Sequence, residues 1–272
     1  MQPPPELGEA LARSAVHVAL ALGFAPPDRG EVGDRLASRE GSEALVGALT
    51  AAGFGGLAGA ARQLAARPPD TDAYRRLFGH TARGAVPPYG AEYGSDTLFQ
   101  QPQRLADIAG IFAAFGVRVD PAEHERVDHV RCQLEFLAFL ARKEAYEIEH
   151  RESDRLEEIR KAERLFLREH LGRFAPAFGE RLRQEDAGGF YDALGGLLRD
   201  FVEAECQRLG VAAGPDNLVL RPDADDGAPL MCGSGEECMA TGPPASGAPG
   251  SSLPIVGPSA SGGGCRNGGP PG

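Results

Sequence analysis

The sequence predicts an all-α fold: one helical bundle domain followed by a disordered C-terminal tail. Apolar residues recur at three- and four-residue intervals along most of the chain up to Leu209. No alternating β-branched run reaches strand length; the stretch 117–119 is too short. Composition then breaks. From Arg221 to Gly272 the chain is mostly Gly, Pro, Ser and Ala, and its last aromatic residue is Phe201. A segment so poor in apolar side chains buries too little surface to offset its ordering entropy. Residues 1–214 are therefore assigned to the folded domain and 215–272 to the tail, whose one apolar island is Leu253-Pro254-Ile255-Val256.

Each element has its own warrant. Ala10, Leu11, Ala15, Val18, Leu20 and Leu22 set a first helix that residues 23–27 stop. Ser42 stands where an N-cap would precede a helix over 43–52. The Ala-rich stretch 57–67 forms the next helix and ends at Pro68-Pro69; Thr71 or Asp72 caps another, to about residue 81. Residues 82–96, rich in Gly, Pro and Tyr, form an ordered loop. Pro102 fits the first turn of a helix that runs to Phe115 and closes at Gly116. After a polar connection over 117–127, helical periodicity continues from Asp128 to about Phe174, too long for one ordinary helix. The polar run 150–154 is the break, with Ser153 or Asp154 capping the second half. Pro176 starts a short helix, Gly188-Gly189 interrupts, and a last helix spans 190–209. The result is roughly nine helices around one core, without internal repeats.

Charge and cysteine usage bound the function. The chain of 272 residues carries 28 Lys or Arg against 39 Asp or Glu, a formal charge of -11. Such a surface repels phosphate backbones, which excludes nucleic acid as principal partner and suits a basic one. Five cysteines, an odd and sparse set, do not make a secreted disulfide scaffold. Cys132 and Cys206 fall in helices and belong to the core. The first nine residues hold Glu6 and Glu9 and no basic run, so no signal peptide is expected. The longest apolar stretch, 15–26, contains His17 and is too short to span a bilayer. These features predict a soluble, cytoplasmic protein with no stable membrane insertion.

Catalytic chemistry finds little support. Glu147-x-x-His150 has the spacing of carboxylate-bridged di-iron bundles, but such a site needs two of these motifs and two further glutamates. A solvated acidic face is the expectation there. His124, Asp128 and His129 lie within six residues and offer an alternative function, a metal-dependent hydrolase. The order Asp-His reverses that of HD-type phosphohydrolases, and Asp128 also suits a helix N-cap. Cys232 and Cys238 are metal candidates by residue type only, being six apart where zinc ligands are normally separated by two to four residues. Arg75-Arg76-Leu77-Phe78 looks like an export signal but sits inside the chain; it reads as a helix surface with Leu77 and Phe78 turned inward. No phosphate-cradling glycine loop or nucleophile elbow is present, and no cofactor is called for.

The densest signal is a loop, Pro87-Pro88-Tyr89-Gly90-Ala91-Glu92-Tyr93-Gly94. Leu98-Phe99-Gln100-Gln101-Pro102 follows, then the helix to Phe115-Gly116, then Glu125-Arg126-Val127-Asp128-His129, then a helix through Cys132 and Ala141. This ordered series resembles the TorD/DmsD/NarJ family of redox-enzyme maturation chaperones over about residues 10–212. Val127 replaces the family's usual proline before Asp-His. In the later Phe166-x-x-x-His170-Leu171-x-x-Phe174-Ala175-Pro176, Phe174 stands where Trp is common.

The resemblance implies binding rather than turnover. Such a chaperone, with no cofactor of its own, holds the twin-arginine signal peptide and apo-form of a molybdopterin oxidoreductase catalytic subunit until its cofactor is inserted. On that reading Glu92, Glu125 and Asp128 meet the peptide's guanidinium groups through charge-assisted bonds. Tyr89, Tyr93, Leu98 and Phe99 line a groove for its apolar part, and His129 belongs to the same site. A nucleotide-responsive role, suggested for some relatives, has no phosphate loop here to support it. The connection 117–127 leaves a monomer and a domain-swapped dimer both open.

Overall fold

A computed structural model describes residues 4–27, 32, 35–79, 83–94, 100–119 and 125–222. Among them are nine α-helices and three isolated β-bridges, with no strand. The helices are α1 (Pro5–Gly23), α2 (Arg39–Ala51), α3 (Ala58–Leu64), α4 (Thr71–Phe78), α5 (Gln100–Ala114), α6 (Val130–His150), α7 (Ser153–Glu169), α8 (Leu171–Glu185) and α9 (Phe190–Arg208).

The helix ends show which polar groups were free to cap. Ser38, not Ser42, caps α2, its hydroxyl accepting the Gly41 N–H at 3.0 Å. Ser42 is buried on the inner face and donates to the Ala61 carbonyl at 3.1 Å, as a buried hydroxyl must. Asp70 caps α4 one residue ahead of the expected Thr71 or Asp72, accepting from Ala73 N–H at 2.9 Å. The expected break after His150 is made by Arg151 in the left-handed region, φ 60°. Neither Ser153 nor Asp154 caps α7; Glu152 holds that position without a side-chain bond.

Pro176 does not start a helix. It lies inside α8, which begins directly after His170. Proline has no N–H to give the carbonyl four residues back, which here is Gly172. That carbonyl is taken instead by the Gly214 N–H at 2.9 Å, so the gap in the helix ladder anchors the chain that follows α9.

α1 lies along α6, and α9 along α8. One aromatic group joins Phe24, Tyr74, Phe78, Phe178 and Tyr191, and Tyr93 from the loop stacks into it against Phe174 and Phe178. Another joins Phe112, Phe115, Phe136 and Phe166 across α5, α6 and α7. Leu77 is fully buried, as expected, and Phe78 half-buried; Arg76 reaches the C-terminal end of α8, donating to the Glu185 carbonyl at 2.9 Å. Cys132 and Cys206 are core residues, and burial pushes their thiols up to about 12 and about 11.

Gly179 and Gly195 let α8 and α9 touch backbone to backbone. A Cβ on Gly195 would stand 2.6 Å from the Gly179 carbonyl oxygen. Backbone on both sides cannot yield cheaply, so Gly195→Ala is expected to cost about 1–3 kcal/mol, read as a lower urea midpoint. A midpoint equal to wild type would show that the helix pair can part.

The chain does not leave the domain at residue 215. Residues 215–222, placed in the tail by composition, run back over the Tyr-rich loop, with Leu220 bridged to Tyr93. Main-chain pairing, which composition does not report, holds them there. Residues from 223 onward, including the apolar island and Cys232, Cys238 and Cys265, lie outside the described ones.

Candidate functional site

Two short segments pair at the centre of the site. The Tyr-rich loop meets the residues ahead of α6 through an antiparallel bridge between Tyr89 and His129. Gly90 N–H donates to the Asp128 carbonyl at 3.0 Å, and Val130 N–H to the Pro88 carbonyl at 2.8 Å. Gly90 permits this close approach: a Cβ there would lie 3.1 Å from the Phe174 ring, which would have to shift by a few tenths of an ångström. The loop is thus pressed onto α8 from one side and stitched to the start of α6 on the other.

Asp128 is the knot. Its carboxylate is completely buried and accepts the Ala91 N–H at 3.0 Å. Arg126 forks onto it, with Nε 2.9 Å from Oδ1 and Nη2 2.8 Å from Oδ2, a strong bidentate arrangement. The Asp128 carbonyl also accepts from the Gln133 amide at 2.8 Å. So Asp128 already holds a guanidinium, and that guanidinium belongs to the chain itself. The same Arg126 stacks on the Tyr89 ring, 4.6 Å from its centroid, and reaches Glu92 at 3.7 Å.

His129, not Asp128, caps α6: its Nδ1 accepts the Arg131 N–H at 3.1 Å. The ring proton therefore sits on Nε2, 3.8 Å from Glu125 Oε2. Burial first, then Arg131 and Arg126, hold its pKa down to about 3, so the ring is neutral at physiological pH. The unfolded chain takes up that proton near 6.5. The contribution of His129 is therefore complete above pH 6.5 and lost as pH falls toward 3. His129→Asn keeps a capping acceptor without the titration. Its urea midpoint is expected to fall less than the wild-type midpoint between pH 7 and pH 5; equal falls would remove His129 from the acid response.

The remaining predicted residues divide. Tyr89 donates to Glu125 at 3.3 Å; burial, then Glu125, raises its pKa to about 12 and keeps it a donor. Glu92 is half-buried, 3.4 Å from Arg83. Tyr93 faces the core and donates to the Pro87 carbonyl at 3.0 Å, where it fixes the loop instead of lining its surface. Leu98, Phe99 and His124 lie outside the described residues. Of the proposed metal set, Asp128 and His129 are already engaged by Arg126 and the Arg131 amide. Among the described residues no three His, Cys, Asp or Glu side chains are placed to hold a metal ion. Glu147 is buried, not solvated as expected, and His150 is exposed and stacked on Tyr146.

Beside the loop runs a groove of about 810 Å³ between α5 and the α7–α8 corner. Ile111, Ala114 and Leu165 are apolar residues along it; Gln100, Gln103 and Asp107 are polar. Arg104, Glu169, His170 and Arg173 line both this groove and a small cleft that ends at Gly90, Asp128 and Gln133. The cleft is small, about 10 Å³, and lies beneath the buried floor of the loop, so the groove and the loop share these four side chains. The arginines escaped the sequence reading because charge patterning marked only the carboxylates. The one local signal was the spacing Arg126-x-Asp128; residues 126–129 form a turn, with His129 N–H on the Arg126 carbonyl at 3.0 Å, which folds the guanidinium back onto the carboxylate.

A family profile described as nitrate reductase delta subunit matches residues 44–180, about half of the chain, including the loop, α5, α6 and the first part of α8. The chain is 35% identical over 131 residues to the chaperone protein TorD of Vibrio cholerae serotype O1, covering 47% of this chain and 57% of that one. The chlorate reductase assembly chaperone protein of Ideonella dechloratans is 31% identical over 166 residues, 52% of this chain and 82% of that one. The selenate reductase assembly chaperone protein of Thauera selenatis is 30% identical over 169 residues, 53% and 84%. The chain thus spans a little over half the length of the TorD relatives and more than four fifths of the two assembly chaperones. These relatives are named for chaperoning and assembly, not catalysis. A profile across half the chain and relatives covered over most of their length settle the identity: the chain belongs to the nitrate reductase delta subunit family, among its TorD-like chaperones.

Proposed function

We propose that this protein is a cytoplasmic chaperone that binds the twin-arginine signal peptide and apo-form of a molybdopterin oxidoreductase catalytic subunit and assists its assembly before export. The observation that carries the reading is the groove between α5 and the α7–α8 corner, four of whose residues also line the small cleft beneath the Tyr-rich loop. A signal peptide has the matching form, arginines followed by an apolar stretch. Glu92 and Glu125, both partly exposed, offer carboxylates at the loop end. Ile111, Ala114 and Leu165 offer apolar surface along the groove, and Leu98 and Phe99 directly precede its residue Gln100. Asp128, His129 and Tyr93 act by holding the loop in shape. The formal charge of -11 favours encounter with a basic peptide.

The test is a titration of the full chain with a labelled twin-arginine peptide. Saturable binding that weakens when both arginines become lysine and the apolar segment is cut out supports the reading. Equal binding of the altered peptide would sink it.

A further inference from the structure

We infer that the main-chain edge of residues 92–94 takes up the client peptide by strand addition, and that residues 218–221 of the chain occupy this edge as a stand-in. This rests on the peptide-binding reading above and specifies its register and its regulation. The pairing is antiparallel, with Tyr93 opposite Leu220. Gly94 N–H donates to the Val219 carbonyl at 2.9 Å, and Arg221 N–H donates to the Glu92 carbonyl at 3.0 Å. Arg221 therefore stands opposite Glu92. An extended segment with an arginine, set against a loop carrying a carboxylate, is the mode by which a peptide adds to an exposed edge.

Besides Arg173, whose Nη2 lies beside Gly94, three guanidinium groups crowd this loop, and they are not equally held. Arg126 forks onto the buried Asp128. Arg83 reaches Glu92 at 3.4 Å and donates to the Arg221 carbonyl at 2.7 Å. Arg221 makes one 3.3 Å bond to the Ala91 carbonyl. A guest arginine arriving at Glu92 meets like charge unless one of these leaves, and Arg221 has the least to lose. Its segment is packed on one side only, through Leu218 and Leu220. Val219 is 74% exposed, and a gap of about 390 Å³ separates residues 216–219 from Ala177, Arg181 and Gln184 of α8. The root at Gly214, bonded into the Pro176 gap, keeps a released segment close by.

The register also gives the guest a direction. An antiparallel peptide with its arginine opposite Glu92 carries its following residues toward Ala91 and Gly90. Gly90 lines a small buried cleft whose residues Arg104, Glu169, His170 and Arg173 also line the α5 groove, and the apolar stretch would pass over them into that groove. The chain's own segment runs in the same direction but with the residue order reversed, apolar residues first and Arg221 last. It fills the edge and leaves the groove to the guest.

The experiment uses the full chain, a twin-arginine peptide and the variant Arg221→Pro, which removes both the N–H given to Glu92 and the guanidinium. The peptide is expected to bind the variant roughly tenfold more tightly, the reciprocal of an open fraction near one in ten. Amide exchange on wild type adds a second readout. Bound peptide should speed exchange at Arg221 and leave Gly94 N–H protected, since a guest carbonyl replaces that of Val219. Equal or weaker binding by the variant, with Arg221 still protected in the wild-type complex, overturns the stand-in while leaving peptide binding intact. Failure of both proteins to bind overturns both readings. Binding by the variant alone supports the stand-in most strongly.

Discussion

Arg13→Met is expected to remove about 3–5 kcal/mol of stability, the usual cost of breaking a buried ion cluster by deleting one partner. Arg13 lies on the inner face of α1, 4% exposed, amid three buried glutamates from three other helices. It hydrogen-bonds Glu144 of α6 and stands 3.7 Å from Glu163 of α7 and 4.0 Å from Glu205 of α9. Arg160 reaches Glu144 at 2.8 Å, and Arg208 reaches Glu163 and Glu205 at 3.2 and 3.0 Å, from the half-exposed rim. Without Arg13 the three carboxylates face one another across a space those two arginines only border.

The response to pH follows from Glu163. Burial, only partly offset by Arg13, pushes its carboxyl up to about 7. The folded state therefore holds this proton more tightly than the unfolded chain does. Its contribution is present below pH 4.5 and lost as pH rises through 7. Removing Arg13 strengthens that preference, so the deficit of the variant should be largest near pH 8 and shrink toward pH 5.5. Urea denaturation followed by circular dichroism at the two pH values checks it. A loss under about 1 kcal/mol at pH 8 would mean that the cluster is not held by Arg13.

Asp128→Ala should cost about 2–4 kcal/mol and detach the Tyr-rich loop. The substitution strips the Ala91 N–H of its acceptor and leaves the Arg126 guanidinium without its fork. Arg126 also ties Tyr89 and Glu92, so the damage spreads through the loop. Asp128→Asn retains an acceptor of the same shape and should lose less. If both variants match wild type in stability and in amide protection at Gly90 and Ala91, Asp128 is not what holds the loop.

The helices were legible because their signal is local. Apolar spacing placed α1, α5 and α9 within a few residues, and Gly116 ended its helix with φ 71°. What escaped was decided by distant partners. Ser42 has the chemistry of a cap, but the Ala61 carbonyl claims its hydroxyl, and Ser38 serves instead. Pro176 marks a helix start by local rule, yet Gly214 satisfies the carbonyl it abandons, so α8 runs through it. At the site, the carboxylates were visible in the sequence, and their neutralisation by Arg83 and Arg126 was not. Residues 215–222 look like tail by composition, while their order depends on main-chain pairing to Glu92 and Gly94.

The central claim is that a twin-arginine peptide lies along the loop and the α5 groove. Its most direct test is photo-crosslinking from a peptide with a benzophenone side chain just after the second arginine and, separately, one within its apolar stretch. The first probe should label residues 87–94, and the second should label α5 between Gln103 and Ala114. Labelling confined to the exposed face of α1 around Leu11 and Val18 would contradict the account.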